Sequence, residues 1–276
     1  MTQTVAFLGT GSMGSAILNG MIQNGTKGSD IRATTKTVAS SEELASKYGL
    51  SAYATDHQPN ANALAVEGAD IVIVAVKPAY VLQVLDEVKE VISKNALVIS
   101  VAAGVEIKTM EAHLPESVAV VRAMPNTPAL IQQGVTGISA GARVTPEHLA
   151  TAVSLFDSVG KTLVIPEEQI DALSTISGSG PAYVFYFIEE FINTALSHGF
   201  SQEDAYLMVS QTFLGASELL VQQQGDPAEL RRQVTSPNGT TMKAIAVLQE
   251  GNLHDLFLKA TSAALARAKE IAQEQK

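Results

Sequence analysis

Gly9-Thr10-Gly11-Ser12-Met13-Gly14 fits the pattern G-x-G-x-x-G. The pattern alone is weak; its setting gives it meaning. It follows the apolar run Thr4–Leu8 and opens a segment with helical spacing, Met13, Ile17, Leu18 and Met21. In that setting each glycine has a task. Gly9 permits a tight turn, Gly11 lets a pyrophosphate approach the backbone, and Gly14 lets the helix pack closely on the strand. The helix start, with Thr10, Ser12 and Met13, offers free N–H groups and a favourable dipole to phosphate. These residues point to a dinucleotide site.

The end of the next strand candidate, Ile31–Thr35, separates NAD from NADP. A carboxylate there binds the ribose 2′-hydroxyl of NAD. This chain instead reads Ala33-Thr34-Thr35-Lys36-Thr37. The hydroxyls of Thr34 and Thr35 and the charge of Lys36 suit a 2′-phosphate, so NADPH is the expected cofactor and NADH the alternative. Lys is a less specific phosphate partner than Arg. Three more segments end strand candidates on one edge of the expected sheet: Ala75-Val76-Lys77-Pro78, Ala102-Ala103-Gly104, and Arg122-Ala123-Met124-Pro125-Asn126-Thr127-Pro128. Lys77-Pro78 would direct the chain across the cofactor. The small residues at 102–104 leave room for a flat ring, and the two prolines around Asn126-Thr127 make a stiff polar loop.

The elements that must hold these residues alternate between two types. Asp70–Val76, Ala96–Val101 and Val118–Arg122 are continuous β-branched runs, as parallel strands buried on both faces require. Helical segments such as Tyr80–Val91 lie between them, so the expected fold is an α/β Rossmann domain with a doubly wound parallel sheet. Val135–Ala140 and Thr162–Ile165 are later strands, with a helix at Pro146–Ser158. After Pro166 the pattern is helical only: Ala182–His198, Gln202–Gln224 and Leu253–Glu274. The expected domains are therefore 1–165, dinucleotide-binding, and 166–276, all-α.

Composition narrows the function classes. Of 276 residues 46% are apolar and 17% charged, which favours a packed core over disorder. A net charge of −10 without a basic run argues against nucleic acid or an anionic membrane as partner. Cysteine is absent, so thiolate chemistry is excluded, and the five histidines have no ligand spacing, so no metal is expected. No signal-like segment or membrane-length apolar run stands out, and a cytoplasmic protein is expected.

Together these segments resemble one family, the pyrroline-5-carboxylate reductases, over essentially the full length. GTGSMG, AVKP and RAMPNTP fit several related reductases. Ser177-Gly178-Ser179-Gly180-Pro181-Ala182-Tyr183 and Val234-Thr235-Ser236-Pro237-Asn238-Gly239-Thr240-Thr241 are more specific. Many members have a second glycine where this chain has Asn238, a residue that tolerates left-handed backbone.

The resemblance implies reduction of the C=N bond of 1-pyrroline-5-carboxylate to L-proline, and a helical domain that forms a homodimer, with dimers assembling into a decamer. Interlocked dimer helices would let each active site draw on two chains. It implies that Ser236, Gly239, Thr240 and Thr241 bind the small-molecule substrate, with the Thr241 hydroxyl at the ring nitrogen as the catalytic group. It also places Gln233 near the nicotinamide ribose and Asn62 on the adenosine side. Gly239 would allow the turn, and a helix beginning near Thr240 would offer N–H groups to the carboxylate. A plain helix cap is the competing account of this segment. Glu167 or Glu168 could approach the substrate carboxylate, although acidic residues are ordinary in a first turn.

Rivals to this function are a reductase of a related cyclic imine and a non-enzymatic dinucleotide sensor. A 3-hydroxy acid dehydrogenase would need a lysine that Ser179–His198 lacks.

Overall fold

A computed structural model describes residues 3–274. The chain packs as two units, Met1–Ser179 with Ala264–Lys276, and Gly180–Ala263. The sequence boundary near residue 165 marks the end of the last strand; the packing boundary comes later, after Ser179.

The first unit is built on an eight-stranded sheet. Its strands are β1 (Val5–Leu8), β2 (Ile31–Thr35), β3 (Ser51–Ala54), β4 (Ile71–Val74), β5 (Leu97–Ser100), β6 (Ala119–Met124), β7 (Gly134–Ala140) and β8 (Gly160–Val164). They lie in the order β3-β2-β1-β4-β5-β6-β7-β8. The first six strands are parallel. The last two depart from that: β7 runs antiparallel to β6, and β8 parallel to β7. The link from β6 to β7 holds only a short 3-10 turn, Thr127–Ile131, which is too little chain for a crossover to a parallel neighbour.

Alternation along the strands sends side chains into two cores, one on each face. Val5, Phe7, Ile71, Ile73, Leu97 and Ile99 pack with α1 (Ser12–Gln23), α2 (Val38–Tyr48) and α6 (Pro146–Asp157). Ala6, Leu8, Val72, Val74, Val98 and Val120 pack with α3 (Ala61–Val66), α4 (Val81–Val88) and α5 (Ile107–Ala112). Fully burying each large side chain contributes about 1.5–3 kcal/mol. The strand order reverses direction between β1 and β4, so a crevice opens at their carboxyl ends.

Beyond β8 the described residues form helices only. These are α7 (Ile170–Leu173), a π-helical turn at Ser174–Gly178, α8 (Gly180–Ser197), α9 (Gln202–Gln223), α10 (Pro227–Gln233), α11 (Thr240–Glu250) and α12 (Leu253–Glu274). Local signals set their starts. Ser201 caps α9 by accepting the Asp204 N–H, and Asp226 caps α10 at the Ala228 N–H, with Pro227 at the first position. Among the described residues no helix is long and apolar enough to cross a membrane.

Candidate active site

Strand β1 delivers the chain to Gly9, whose φ is 89°. A side chain there would also meet the Ala75 carbonyl oxygen and Val76 Cγ1, each at 3.0 Å. A Cβ on Gly14 would lie 2.6 Å from the Gly9 oxygen and 3.2 Å from Ala75 Cβ, so helix and strand approach as closely as glycine allows. A Cβ on Gly11 would meet nothing within 4 Å, so the protein's own packing makes no demand for glycine at that position. Helix α1 starts from Gly11 without a side-chain cap.

Hydrogen bonds fix this loop to β2. The Gly9 N–H donates to Thr34 Oγ1 at 3.0 Å, and Thr10 Oγ1 donates to the Thr34 carbonyl at 3.1 Å. Replacing Gly14 by Ala forces the Gly9 carbonyl to move. We expect Gly14→Ala to cost about 1–3 kcal/mol of stability and to weaken dinucleotide binding, read by thermal melting and by titration of the reduced cofactor's fluorescence.

The loop forms one wall of a cavity of about 730 Å³. Gly9, Thr10, Gly11, Thr34, Thr35, Lys36, Asn62, Ala75, Val76 and Lys77 all line it, so the sequence-predicted residues from β1, β2, β4 and α3 come together. Ser12, Met13 and Gly14 follow in the first turn of α1, and Pro78 opens a 3-10 turn beyond Lys77. Ala102, Ala103 and Gly104 lie past the end of β5. Gly104 has φ 74°, and a Cβ on it would sit 3.2 Å from Ile271 Cγ2. Tyr80, Gln83, Val84 and Glu87 on and before α4, together with Ser40, Thr55 and Pro59, also line the cavity; sequence reasoning missed them. A second cavity, about 630 Å³, opens at the amino ends of β1 and β4 beside Gln3, Val5 and Ile71, and contains none of the motif residues.

The hydroxyls at the end of β2 are partly committed. Thr34 is 2% exposed, and its hydroxyl donates to the Phe7 carbonyl at 3.4 Å while accepting from Gly9. Thr35 Oγ1 donates to the Thr37 carbonyl at 2.9 Å. Ser40 Oγ accepts from Thr37 Oγ1, which leaves its own proton available to the cavity beside the exposed Lys36.

The polar residues of the RAMPNTP segment act as anchors. Asn126 donates through Nδ2 to the Ser177 carbonyl at 2.9 Å and accepts the Val135 N–H at 2.8 Å. Its first bond holds the π-helical turn that leads into α8. Arg122, 4% exposed, pairs with Asp171 at 2.6 Å and Glu167 at 3.4 Å. Glu167 Oε1 also accepts the Ile107 N–H at 2.8 Å, so this carboxylate ties β6 and α5 to the connector after β8. The exposed Glu168 has no such task.

Gln233 and the segment Ser236–Thr241 belong to the second unit. Asn238 sits in the left-handed region at φ 58°, where the resemblance puts glycine in other chains. The Gly239 N–H donates to the Ser236 carbonyl at 3.0 Å, and a Cβ on Gly239 would crowd Ser236 Oγ at 2.5 Å. Gly239 is the N-cap of α11 and makes no side-chain cap bond. The segment is therefore not an ordinary Ser or Asn cap. Gln233 donates to Glu229 at 3.2 Å. Hydrogen bonds from Arg232, then Gln233, hold the Glu229 carboxyl below the usual carboxylate range.

Elsewhere His148 completes a capping box on α6, and His113 lies 3.0 Å from Asp86. Among the described residues no group of three or more His, Cys, Asp or Glu could hold a metal ion.

Comparison with known proteins agrees with this geometry. Residues 167–271 match the family model for pyrroline-5-carboxylate reductase dimerisation, and residues 4–104 match one described as NADP oxidoreductase, coenzyme F420-dependent. Pyrroline-5-carboxylate reductase of Methanosarcina acetivorans is 37% identical over 273 residues, which cover 99% of each chain. The solved pyrroline-5-carboxylate reductase of Coxiella burnetii is 37% identical with a TM-score of 0.92, over 98% of this chain and 99% of that one. The pyrroline carboxylate reductase of Plasmodium falciparum, solved with NADP bound, is 26% identical with a TM-score of 0.84, over 98% of both chains. The chain belongs to the pyrroline-5-carboxylate reductase family, NAD(P)-dependent oxidoreductases that reduce the C=N bond of 1-pyrroline-5-carboxylate to L-proline in the last step of proline biosynthesis.

Proposed function

We propose that this chain makes L-proline with NADPH as preferred donor, and that the turn Ser236–Thr241 holds the imine substrate. The observation that carries the substrate assignment is the start of α11. It begins on Gly239 without a side-chain cap, so the N–H groups of its first turn have no side-chain acceptor. Such a helix start favours a carboxylate through its N–H groups and dipole. The hydroxyls of Ser236, Thr240 and Thr241 form no hydrogen bond with another described residue.

The glycine loop and the start of α1 suit the pyrophosphate of the cofactor: Gly11 leaves open space, and the first-turn N–H groups lack a side-chain acceptor. Bound reduced nicotinamide supplies the hydride. The chain has to hold the imine and manage one proton. Thr241 donates a hydrogen bond to the ring nitrogen, which draws electron density away from C5. As C5 gains hydride, the nitrogen gains a proton, relayed through the Thr241 hydroxyl and replaced from solvent. A threonine hydroxyl orients and relays a proton but does not store one.

NADPH preference rests on the absence of a carboxylate at the end of β2 and on Lys36 with Ser40 facing the cavity. A charge-assisted contact at an exposed lysine contributes about 1–1.5 kcal/mol. Lys36→Ala should therefore lower kcat/KM for NADPH about five- to tenfold and leave that for NADH nearly unchanged. Steady-state rates with both cofactors check this.

The second unit's surface supports a homodimer. Among its described residues only Ala205 and Val209 are buried, while Phe185, Tyr186, Phe191, Leu207 and Phe257 are exposed. A unit of this size without a core needs a partner surface. A second copy is the partner, in keeping with the match to a dimerisation family, and the resemblance extends this to a decamer.

Substrate choice tests the function. Kcat/KM should be highest for 1-pyrroline-5-carboxylate, lower for the six-membered imine carboxylate, and should collapse for 1-pyrroline without the carboxylate. Equal rates with and without the carboxylate would remove the anion role of α11.

A further inference from the structure

The chain enters its second unit through a helical passage that the sequence itself interrupts. Pro181 is the second residue of α8. It has no N–H for the Ser177 carbonyl four residues back, and its ring crowds that oxygen. The turn before it widens. The Ser179 N–H donates to the Ser174 carbonyl at 2.8 Å, five residues back, and Ser174–Gly178 is π-helical. The Ser177 carbonyl takes its donor from another element, Asn126 Nδ2 at 2.9 Å. The Asn126 amide cannot be turned round, because its Oδ1 accepts the Val135 N–H at 2.8 Å and a backbone N–H only donates. Asn126 is 8% exposed, so both bonds are shielded from water.

Strands β1, β4, β5 and β6 are parallel, so the carboxyl end of β6 shares an edge with the glycine loop. Asn126 follows that end, and a Cβ on Gly178 would sit 3.2 Å from Met124 Cε there. The π-helical turn is thus fixed to the edge assigned to the dinucleotide. Gly178 and Gly180, on either side of Ser179, leave the backbone soft. A Cβ on Gly180 would meet nothing within 4 Å, so close packing does not hold the chain at that residue. Polar contacts hold it instead: Arg122 to Asp171 before the turn, and Asn126 to Ser177 within it. Widened turns of this kind occur frequently at functional sites.

We infer that Asn126 is a positioning residue for hydride transfer: it supplies the donor that Pro181 cannot, and so fixes the turn through which the chain passes into the unit that carries Ser236–Thr241. The inference rests on the function proposed above, in which that unit holds the imine and the first unit holds the hydride donor. The passage between the units then has to be fixed for the reacting atoms to meet. A misplacement of about 1 Å costs up to about 100-fold in rate.

Asn126→Asp is the first test. A carboxylate of the same shape still accepts the Val135 N–H but has nothing to donate to Ser177. At a temperature where the protein is fully folded, kcat for imine reduction should fall about tenfold, the effect of leaving one buried carbonyl without its donor. NADPH binding without imine, read by the fluorescence of the reduced nicotinamide, should stay within about twofold. Asn126→Ala, which buries no charge, should show the same split. A lower Tm with kcat of the folded protein unchanged would make the role structural only and overturn the inference.

Pro181→Ala provides the second test, because residue 181 then has an N–H for the Ser177 carbonyl. In that background the loss caused by Asn126→Asp should shrink to about twofold. An equal loss in both backgrounds shows that Asn126 does not act through the Ser177 carbonyl, and overturns the inference. Failure of the intact, folded protein to oxidise NADPH with the imine would instead sink the proposed function, and this inference with it.

Discussion

Thr241→Ala is expected to lower kcat about 100-fold while NADPH binding stays within about twofold, the size seen when one preorganised donor to a reacting centre is lost. The reason is where the charge changes. The imine nitrogen becomes an amine as hydride reaches the neighbouring carbon, so a donor at nitrogen is worth most on the way to the transition state. The hydroxyl of Thr241 is exposed in the first turn of α11 and has no hydrogen bond within the described structure to break. The loss should therefore appear in turnover and not in stability. Thr241→Ser restores the hydroxyl and should recover most of the rate. Turnover unchanged in Thr241→Ala would remove this residue from the chemistry.

Arg122→Met should have the largest effect on stability. The guanidinium is 4% exposed in the middle of β6, and both of its partners come from the connector after β8, at Glu167 and Asp171. Removing it leaves two partly buried carboxylates facing each other without a cation, which costs about 3 kcal/mol. For a chain of this size that lowers Tm by about 10 °C. The carboxylates retain part of their contact with water, at 30% and 27% exposure, which keeps the cost at the low end for a broken buried pair. Adding Glu167→Gln and Asp171→Asn should recover much of the loss by removing the unpaired charges. A melting curve for Arg122→Met matching that of the unmodified chain would show that the triad does not hold the connector.

Much of this architecture is legible in single residues. Ile71–Val74 and Leu97–Ser100 reveal themselves because strands buried on both faces must be apolar at almost every position. Ser51–Ala54 does not: SAYA at the sheet edge is half-exposed and carries no β-branched residue. The reversed direction of β7 escapes periodicity, which identifies a strand and not its polarity; the short link after Met124 is the signal that would have found it. The glycine loop is legible because two backbone demands, at Gly9 and Gly14, fall within six residues of a strand end.

Other parts of the site were hidden for a different reason. Gln83 and Glu87 are spaced like any solvated helical pair, and only the fold turns that face into a cavity wall. Arg122 and Asp171 are 49 positions apart, so their pairing is invisible until the sheet is assembled. Thr34 is at the site as expected, yet its hydroxyl is largely committed to the backbone of Phe7 and Gly9. Asn238 is the converse case. Its left-handed φ of 58° is the conformation that its side chain tolerates better than most.

The most direct test is the absorbance of reduced nicotinamide when the purified, folded protein is mixed with NADPH and 1-pyrroline-5-carboxylate, and again with NADH. We predict rapid loss that depends on the imine, with L-proline formed in equal amount and NADPH the better donor. No loss with either cofactor would contradict the account and favour a protein that binds dinucleotide without reducing this imine.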